Sequence, residues 1–496
     1  MKQFKYIFML AALILAAESC QKFDELEADP NRSTQVPPSL VLRGILVDMN
    51  YAPWGDVSRW NQYWCSNYNY YDNNEYWSGS ADLRFTTLKN VVRMEEEAQR
   101  ISLPAVNAYS ALGKFFRAFF YYDMTMKVGD IPMNQALLGA ENVAPVYDTQ
   151  KDVLKQVLVW LDEANTDLAA RIAASDVSLE GDIYFGGDLR KWQKTVNSFK
   201  LRVLVQLSKK SADTDLNVKG EFSKILGNPT AYPVMESNGD NLQFIYGSVF
   251  NKYPFNPDNF GFYADRYNTS AAYVNTLSAL HDPRVYVVAE PAAAKLAAGF
   301  TATDFESYVG APSDEGLDEM ATKVQAGEYS RINKSRFFSN YVGEPSIQIG
   351  YPELCLNIAE AINRGWATGN AGEWYNKGIT ASMETYGITD VAAYLAQTQV
   401  AYAGNNANGL TQVLVQKYLA QAQHSGLESY YTWRRTGVPA FAEGGPGTGN
   451  SGVIPRRFQY PTSERDNNTD NYQAALSRQF GNTTDNINDK LWIEKD

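Results

Sequence analysis

The sequence predicts a mainly α fold, a scaffold of paired helices interrupted by long irregular loops. Three observations carry this. Ala105, Ala108, Leu112, Phe115, Phe119, Tyr122 and Met126 recur at alternating spacings of three and four, which keeps them on one helix face. The same period returns at Val153, Val157, Leu161, Ala164 and Leu168, at Trp192, Val196, Phe199 and Val203, and at Leu354, Ile358, Ala361 and Gly365. It is lost between about 230 and 345, where Pro254, Pro257, Gly261 and the run NKYPFNPDNFGFY read as loops. A loop region this long in a compact chain is usually functional.

Residues 1–19 read as a lipoprotein signal peptide. Lys2 and Lys5 form a basic n-region, Ile7 to Ala17 are apolar but too short to span a bilayer, and Ser19 precedes Cys20. Cys20 is the expected lipid attachment, with simple secretion as the alternative. Residues 20–40, with Pro30, Pro37 and Pro38, read as a linker from the anchor. Residues 41–496 form one domain, with the helical scaffold at about 80–212 and 350–435 and loops at about 51–77 and 230–345.

Within that domain a short helix is expected near Leu40 to Tyr51. Glu95, Glu96 and Glu97 read as the exposed face of a helix. Pro104 suits the first turn of the next, and Gly129 with Pro132 its end. Asn370, three residues before Glu373, reads as the cap of a helix carrying Tyr375, Ile379, Met383 and Tyr386. The hairpin from Pro352 to Tyr386 is close to the roughly 34-residue tetratricopeptide unit. GGPGTGNSG at 444–452 reads as a flexible loop, and the residues beyond it as polar, Asn-rich and without clear period.

Tyr51 to Trp77 sets Trp54, Trp60, Trp64 and Trp77 and several tyrosines among Asn, Asp, Ser and Arg59. Tyr and Trp offer rigid apolar faces with one polar handle each. Interleaved with amides and a guanidinium, they suit the half-apolar faces of sugar rings. An aromatic packing segment beneath a helical layer accounts for them equally well, and both readings stand at this point.

Charged residues are 20%, apolar residues 45% and the formal net charge −12, with Lys and Arg dispersed. A phosphate-binding surface needs a basic face, so nucleic acid is not an expected partner. Aromatics reach 13%, an excess that favours a recognition surface. After Cys20 only Cys65 and Cys355 remain, too few for a disulfide framework. Cys355, between Leu354 and Leu356, reads as a buried thiol.

The two histidines, His281 and His424, leave little room for His-based catalysis or metal binding, and both read as structural. There is no G-x-S-x-G, H-E-x-x-H or G-K-[ST] motif. Asp466 to Asp470 begins like a calcium loop, but Asn471 and Ser477 replace the Gly and Glu it needs, so a solvated turn is expected. No cofactor or metal is expected, and nothing requires catalysis.

Several stretches together resemble the SusD/RagB family of outer-membrane nutrient-binding lipoproteins. They are KFFRAFFYYDMTMKVGDIP (114–132), LDEANTDL (161–168), GDLRKW (187–192) with NSFKLRVLVQLS (197–208), EAINRGW (360–366), WRRTGVP (433–439), and IPRR (454–457) through Tyr460-Pro461 to Asn471-Tyr472. The resemblance implies a tetratricopeptide-like helical-repeat scaffold whose long loops form the ligand face. It implies no reaction, a glycan ligand and a SusC-like TonB-dependent β-barrel transporter as partner; the alternatives are peptides or glycopeptides as the cargo, or a glycan-degrading surface enzyme, whose two carboxylates would follow no sequence spacing rule. The chain would be held at the outer membrane through its lipid anchor, surface-exposed. Related proteins draw ligand contacts from the N-terminal loop region and the mid-chain loops. That places the expected ligand-binding residues at Trp54, Arg59, Trp60, Tyr63, Trp64, Asn67, Tyr68, Tyr70, Tyr253 and Phe255, and leaves Trp77 to the core. Arg434, Arg435, Arg456 and Arg457, inside the family signature, are expected to hold carboxylates or carbonyl groups.

Overall fold

The computed structural model describes residues 35–68 and 72–496. The expected signal peptide, Cys20 and most of the linker lie outside the described residues, as does Tyr70.

The chain is mostly helical. The scaffold comprises α1 (Pro38–Asp48), α2 (Phe85–Arg100), α3 (Ala108–Val128), α4 (Gln150–Ala173), α5 (Leu189–Gln206), α6 (Tyr351–Asn363), α7 (Ala371–Thr385), α8 (Ala407–Ala420) and α9 (Glu428–Thr436). Neighbours pack as α1 on α2, α2 on α3, α3 on α4, α4 on α5, α5 on α6 and α6 on α7, with α8 closing on α6. The result is a stack of antiparallel helix pairs of the tetratricopeptide type.

Local chemistry sets the helix starts. Asn107 accepts from the Ser110 N–H, and Ser110 Oγ accepts in return from the Asn107 N–H, both at 3.0 Å. This capping box starts α3 at Ala108, later than Pro104 would place it, because the box satisfies end donors that Pro104 alone leaves open. Gly129, at φ 94°, ends the helix where a side chain would be strained. Thr149 caps α4, Asp188 caps α5 and, as expected, Asn370 caps α7.

Along α3 only Ser110, Lys114 and Arg117 escape burial. These three form one stripe on its first half, and from Ala118 onward the helix is buried on all sides, as at the centre of a fold. Its Asp123 and Lys127 pair at 2.7 Å, and the Tyr51 hydroxyl bridges them, donating to Asp123 and accepting from Lys127.

The arginines of the C-terminal signature hold the scaffold together. Arg435 clamps Glu360 with two bonds, and Arg364 and Lys417 reach the same carboxylate. Arg434 donates to the carbonyls of Met126 and Arg456, Arg456 pairs with Glu494, and Arg457 pairs with Asp485. Such bidentate internal pairing is what guanidinium geometry favours.

Four expectations are corrected. Glu97 is covered rather than exposed, held between Arg93 and Arg100. The glycine loop at 444–452 is an ordered strap: the Gly447 N–H donates to the Asp314 carbonyl, and the Tyr76 N–H to that of Thr448. A Cβ on Gly447 would meet the Glu315 carbonyl oxygen at 2.3 Å, so the glycines allow close backbone approach. The calcium-like run is no open turn but spans two helices, Thr462–Asn467 and Thr469–Phe480. The region beyond 452 is thus partly helical, with Tyr472, Ala475 and Leu476 buried. Cys65 and Cys355 are both buried free thiols.

Between the halves of the scaffold, two small antiparallel sheets tie down the loops. β1 (Trp64–Ser66) pairs with β3 (Tyr267–Thr269), and β2 (Leu242–Phe244) with β4 (Ser346–Ile349). The first joins the N-terminal aromatic stretch to the mid-chain loops.

Candidate functional site

The β1–β3 register continues one step further, where the Asn67 N–H donates to the Arg266 carbonyl at 3.0 Å. The Asn67 side chain donates to the Asp265 carbonyl and to Asn268 Oδ1. These bonds bring Tyr68 beside Arg266, whose guanidinium carbon lies 5.1 Å from the Tyr68 ring centre and 3.5 Å from that of Phe262. Tyr68, Phe260 and Phe262 are 43%, 46% and 42% exposed. The guanidinium lies over the Phe262 ring and beside Tyr68, so this face sets two rings around one cation. Elsewhere in the same mid-chain loops, Tyr341 donates to Asp258 at 2.8 Å, and Lys252 lies 4.3 Å from the Tyr341 ring centre.

A second aromatic layer lies behind. Phe260 meets Phe338 edge-on at 5.4 Å, Phe338 stacks on Phe255 at 4.8 Å, and Phe255 stacks on Trp54 at 4.8 Å. Trp54 Nε1 donates to the Tyr253 hydroxyl at 2.8 Å. Burial pushes the phenols of Tyr253 and Tyr63 well up, so both are held as neutral hydrogen-bonding groups.

Most of the sequence-derived ligand residues therefore do not face solvent. Trp54, Arg59, Tyr63, Trp64, Asn67, Tyr253 and Phe255 are all buried. Tyr63 stacks on Tyr418 and bonds to the Tyr418 carbonyl and Ser429. Trp64 meets Tyr267 edge-on and donates to Ser58 Oγ. Arg59 is taken by Asp56, Asp72 and the Asn73 carbonyl. Trp60 is half-buried against Trp77 and Phe458. Among the described members of the set, Tyr68 alone is exposed. The packed alternative describes most of this stretch, because its polar handles bond to side chains and carbonyls inside the protein while the rings fill the interior. Trp77 is core, stacked on Phe458 at 3.9 Å.

Comparison with known proteins now decides the family. The model of the SusD-like family, described as "Starch-binding associating with outer membrane", matches residues 30–461. A SusD homologue from Bacteroides fragilis is 30% identical with a TM-score of 0.84, covering 93% of this chain and 100% of its own. The chain belongs to the SusD-like family. A second SusD homologue from Bacteroides fragilis is 32% identical (TM-score 0.80), with the same two coverages, 93% and 100%. A chitin-binding SusD homologue from Flavobacterium johnsoniae is 19% identical with a TM-score of 0.73, covers 92% of this chain and 99% of its own, and shares the fold. Among curated proteins nothing matches.

In this SusD-like chain the partly exposed aromatic face also holds Phe260, Phe262 and Arg266, which sequence reasoning did not name. Their signal was present, since the run NKYPFNPDNFGFY contains both phenylalanines. What it could not tell was that Tyr253 and Phe255 turn inward and Phe260 and Phe262 outward.

Neither histidine joins the aromatic face. His281 stacks on Phe305 at 4.8 Å. His424 Nδ1 accepts from the Ile347 N–H at 3.4 Å, and burial holds its imidazole down at about 4. An unfolded histidine takes up its proton near pH 6.5, so the folded state loses stability as pH falls from there toward 4. Denaturant melts from pH 7 to 4.5 are expected to show the wild type losing stability that His424→Gln keeps. Parallel curves would show that the imidazole is not held neutral. Among the described residues no cluster of His, Cys, Asp or Glu could hold a metal ion, and no helix is long and apolar enough to cross a membrane.

Proposed function

We propose that this SusD-like chain is a non-catalytic surface lipoprotein, anchored through Cys20. It captures oligosaccharides or polysaccharides at the outer membrane and delivers them, as a lid, to a partner TonB-dependent β-barrel transporter. The observation that carries the capture step is the exposed Tyr68–Arg266–Phe262 face, with Phe260 on the same mid-chain loop. Sugar C–H faces stack on the ring surfaces left open, and hydroxyls bond to the guanidinium that lies between Tyr68 and Phe262. Trp54, Tyr253 and Phe255 support this face from behind and fix its shape. The family's description as starch-binding and the chitin-binding relative favour a glycan over a peptide or glycopeptide, which remains the alternative cargo. A lid must release what it captures, so affinity is expected at micromolar or weaker, about −8 kcal/mol or less in magnitude.

Affinity electrophoresis against a polysaccharide panel tests this. Tyr68→Ala and Phe262→Ala are each expected to weaken binding about tenfold, the equivalent of ~1.4 kcal/mol. If both bind like the wild type, the aromatic face is not the site. Failure to recover a β-barrel transporter in a pull-down from native membranes would remove the lid role.

A further inference from the structure

A second concavity is lined by none of the residues of the aromatic face. It is a cleft of ≈ 390 Å³, within the usual size range of small-ligand sites. It opens where the end of α7 meets β2 and the segment entering β4, and its polar lining includes Asn238, Gln243, Glu344, Glu384, Tyr386 and His424. The wall is rich in acceptors. Glu344 is paired with Arg336, the cation also poised 5.3 Å from the Tyr386 ring centre. Glu384 accepts only from Asn238 Nδ2, at 3.1 Å, and has no cation within ion-pair distance among the described residues. His424 is neutral, so two carboxylates set against one guanidinium leave the wall with one negative charge. The half-buried side-chain amide of Gln243 makes no hydrogen bond among the described residues, an unspent donor and acceptor on the cleft wall. Tyr386, Pro345 and Ile347 add an apolar side.

We propose that this cleft is a second saccharide subsite, taking a sugar residue that carries a free amine. The ammonium sits on Glu384, ring hydroxyls bond to Gln243 and Asn238, and the apolar ring face lies toward Tyr386. Uronate or sulfate groups are repelled by the same charge. The inference rests on the saccharide reading for the class of ligand, and on the cleft alone for its place and charge preference.

The chain has two histidines, one in the cleft and one on Phe305, so ¹⁵N-histidine labelling gives a site-resolved probe. The full mature chain is titrated at about pH 5.5, where the weakly basic amines of a sugar are largely protonated and His424 stays neutral, with the glucosamine tetramer, its N-acetylated counterpart, tetragalacturonate and the tripeptide Ala-Lys-Ala. The glucosamine tetramer is expected to shift the His424 signals and leave those of His281 in place. Glu384→Gln is expected to weaken that binding roughly two- to fivefold, as for an exposed ion pair, and Gln243→Ala to weaken it further. A silent His424 at millimolar glucosamine tetramer overturns the proposal. Equal response to the N-acetylated or galacturonate probe overturns the charge preference, and equal response to the tripeptide overturns the sugar. If Tyr68→Ala and Phe262→Ala bind polysaccharide like the wild type while His424 still responds, the aromatic face fails and the cleft stands.

Discussion

Trp64→Ala is expected to lower unfolding free energy by about 3–5 kcal/mol, while the folded variant keeps its carbohydrate affinity within about threefold. Trp64 is 2% exposed, packed edge-on against Tyr267 at 4.5 Å with its indole N–H on Ser58. Removing the ring leaves a cavity in the sheet that anchors the N-terminal loop, and leaves a hydroxyl without its donor. A surface platform behaves the opposite way, losing affinity with little change in stability. Denaturant melts and affinity electrophoresis on the same preparations separate the two. Unchanged stability with lost binding would return Trp64 to the ligand face.

Glu360→Gln is expected to cost about 3–5 kcal/mol, the range for breaking a buried ion pair from one side. The carboxylate is 0% exposed and takes Arg435 at 2.5 and 3.0 Å, Arg364 at 2.9 Å and Lys417 at 3.1 Å. Removing its charge leaves three buried or half-buried cations around a neutral amide. The cations beside it hold the Glu360 carboxyl far below the usual carboxylate range, against the opposing effect of burial. A depressed folded-state value means the contribution is fully present above the unfolded value, near 4.3, and is lost as pH falls toward the folded one. The stability gap between wild type and variant should therefore be constant at neutral pH and shrink below about pH 4. A gap that grows on acidification would contradict this assignment.

The aromatic stretch shows how far residue types carry an argument. Read locally, Tyr51–Trp77 suits a sugar platform and a packed segment equally, because Tyr and Trp serve both through the same rings. What separates Tyr68 from Trp64 is one short strand. β1 turns Trp64 against Tyr267, and beyond its end Tyr68 lies beside Arg266, partly exposed. The mid-chain run behaves likewise: Tyr253 and Phe255 face Trp54, while a single helical turn at Phe260–Tyr263 puts Phe260 and Phe262 outside. Pairing across some two hundred residues leaves no mark in either stretch alone.

Helical period, capping residues and paired arginines are local or motif-level features, and they sufficed for the mainly α scaffold, the Asn370 cap and the internal role of the signature arginines. The SusD-like resemblance was likewise legible, since it rests on motifs in chain order. Which aromatics are exposed, the ordering of the 444–452 strap and the acidic cleft at the end of α7 were decided by tertiary structure. Each depends on long-range strand pairing or backbone contact, whose free energy comes from burying surfaces that the sequence does not place side by side.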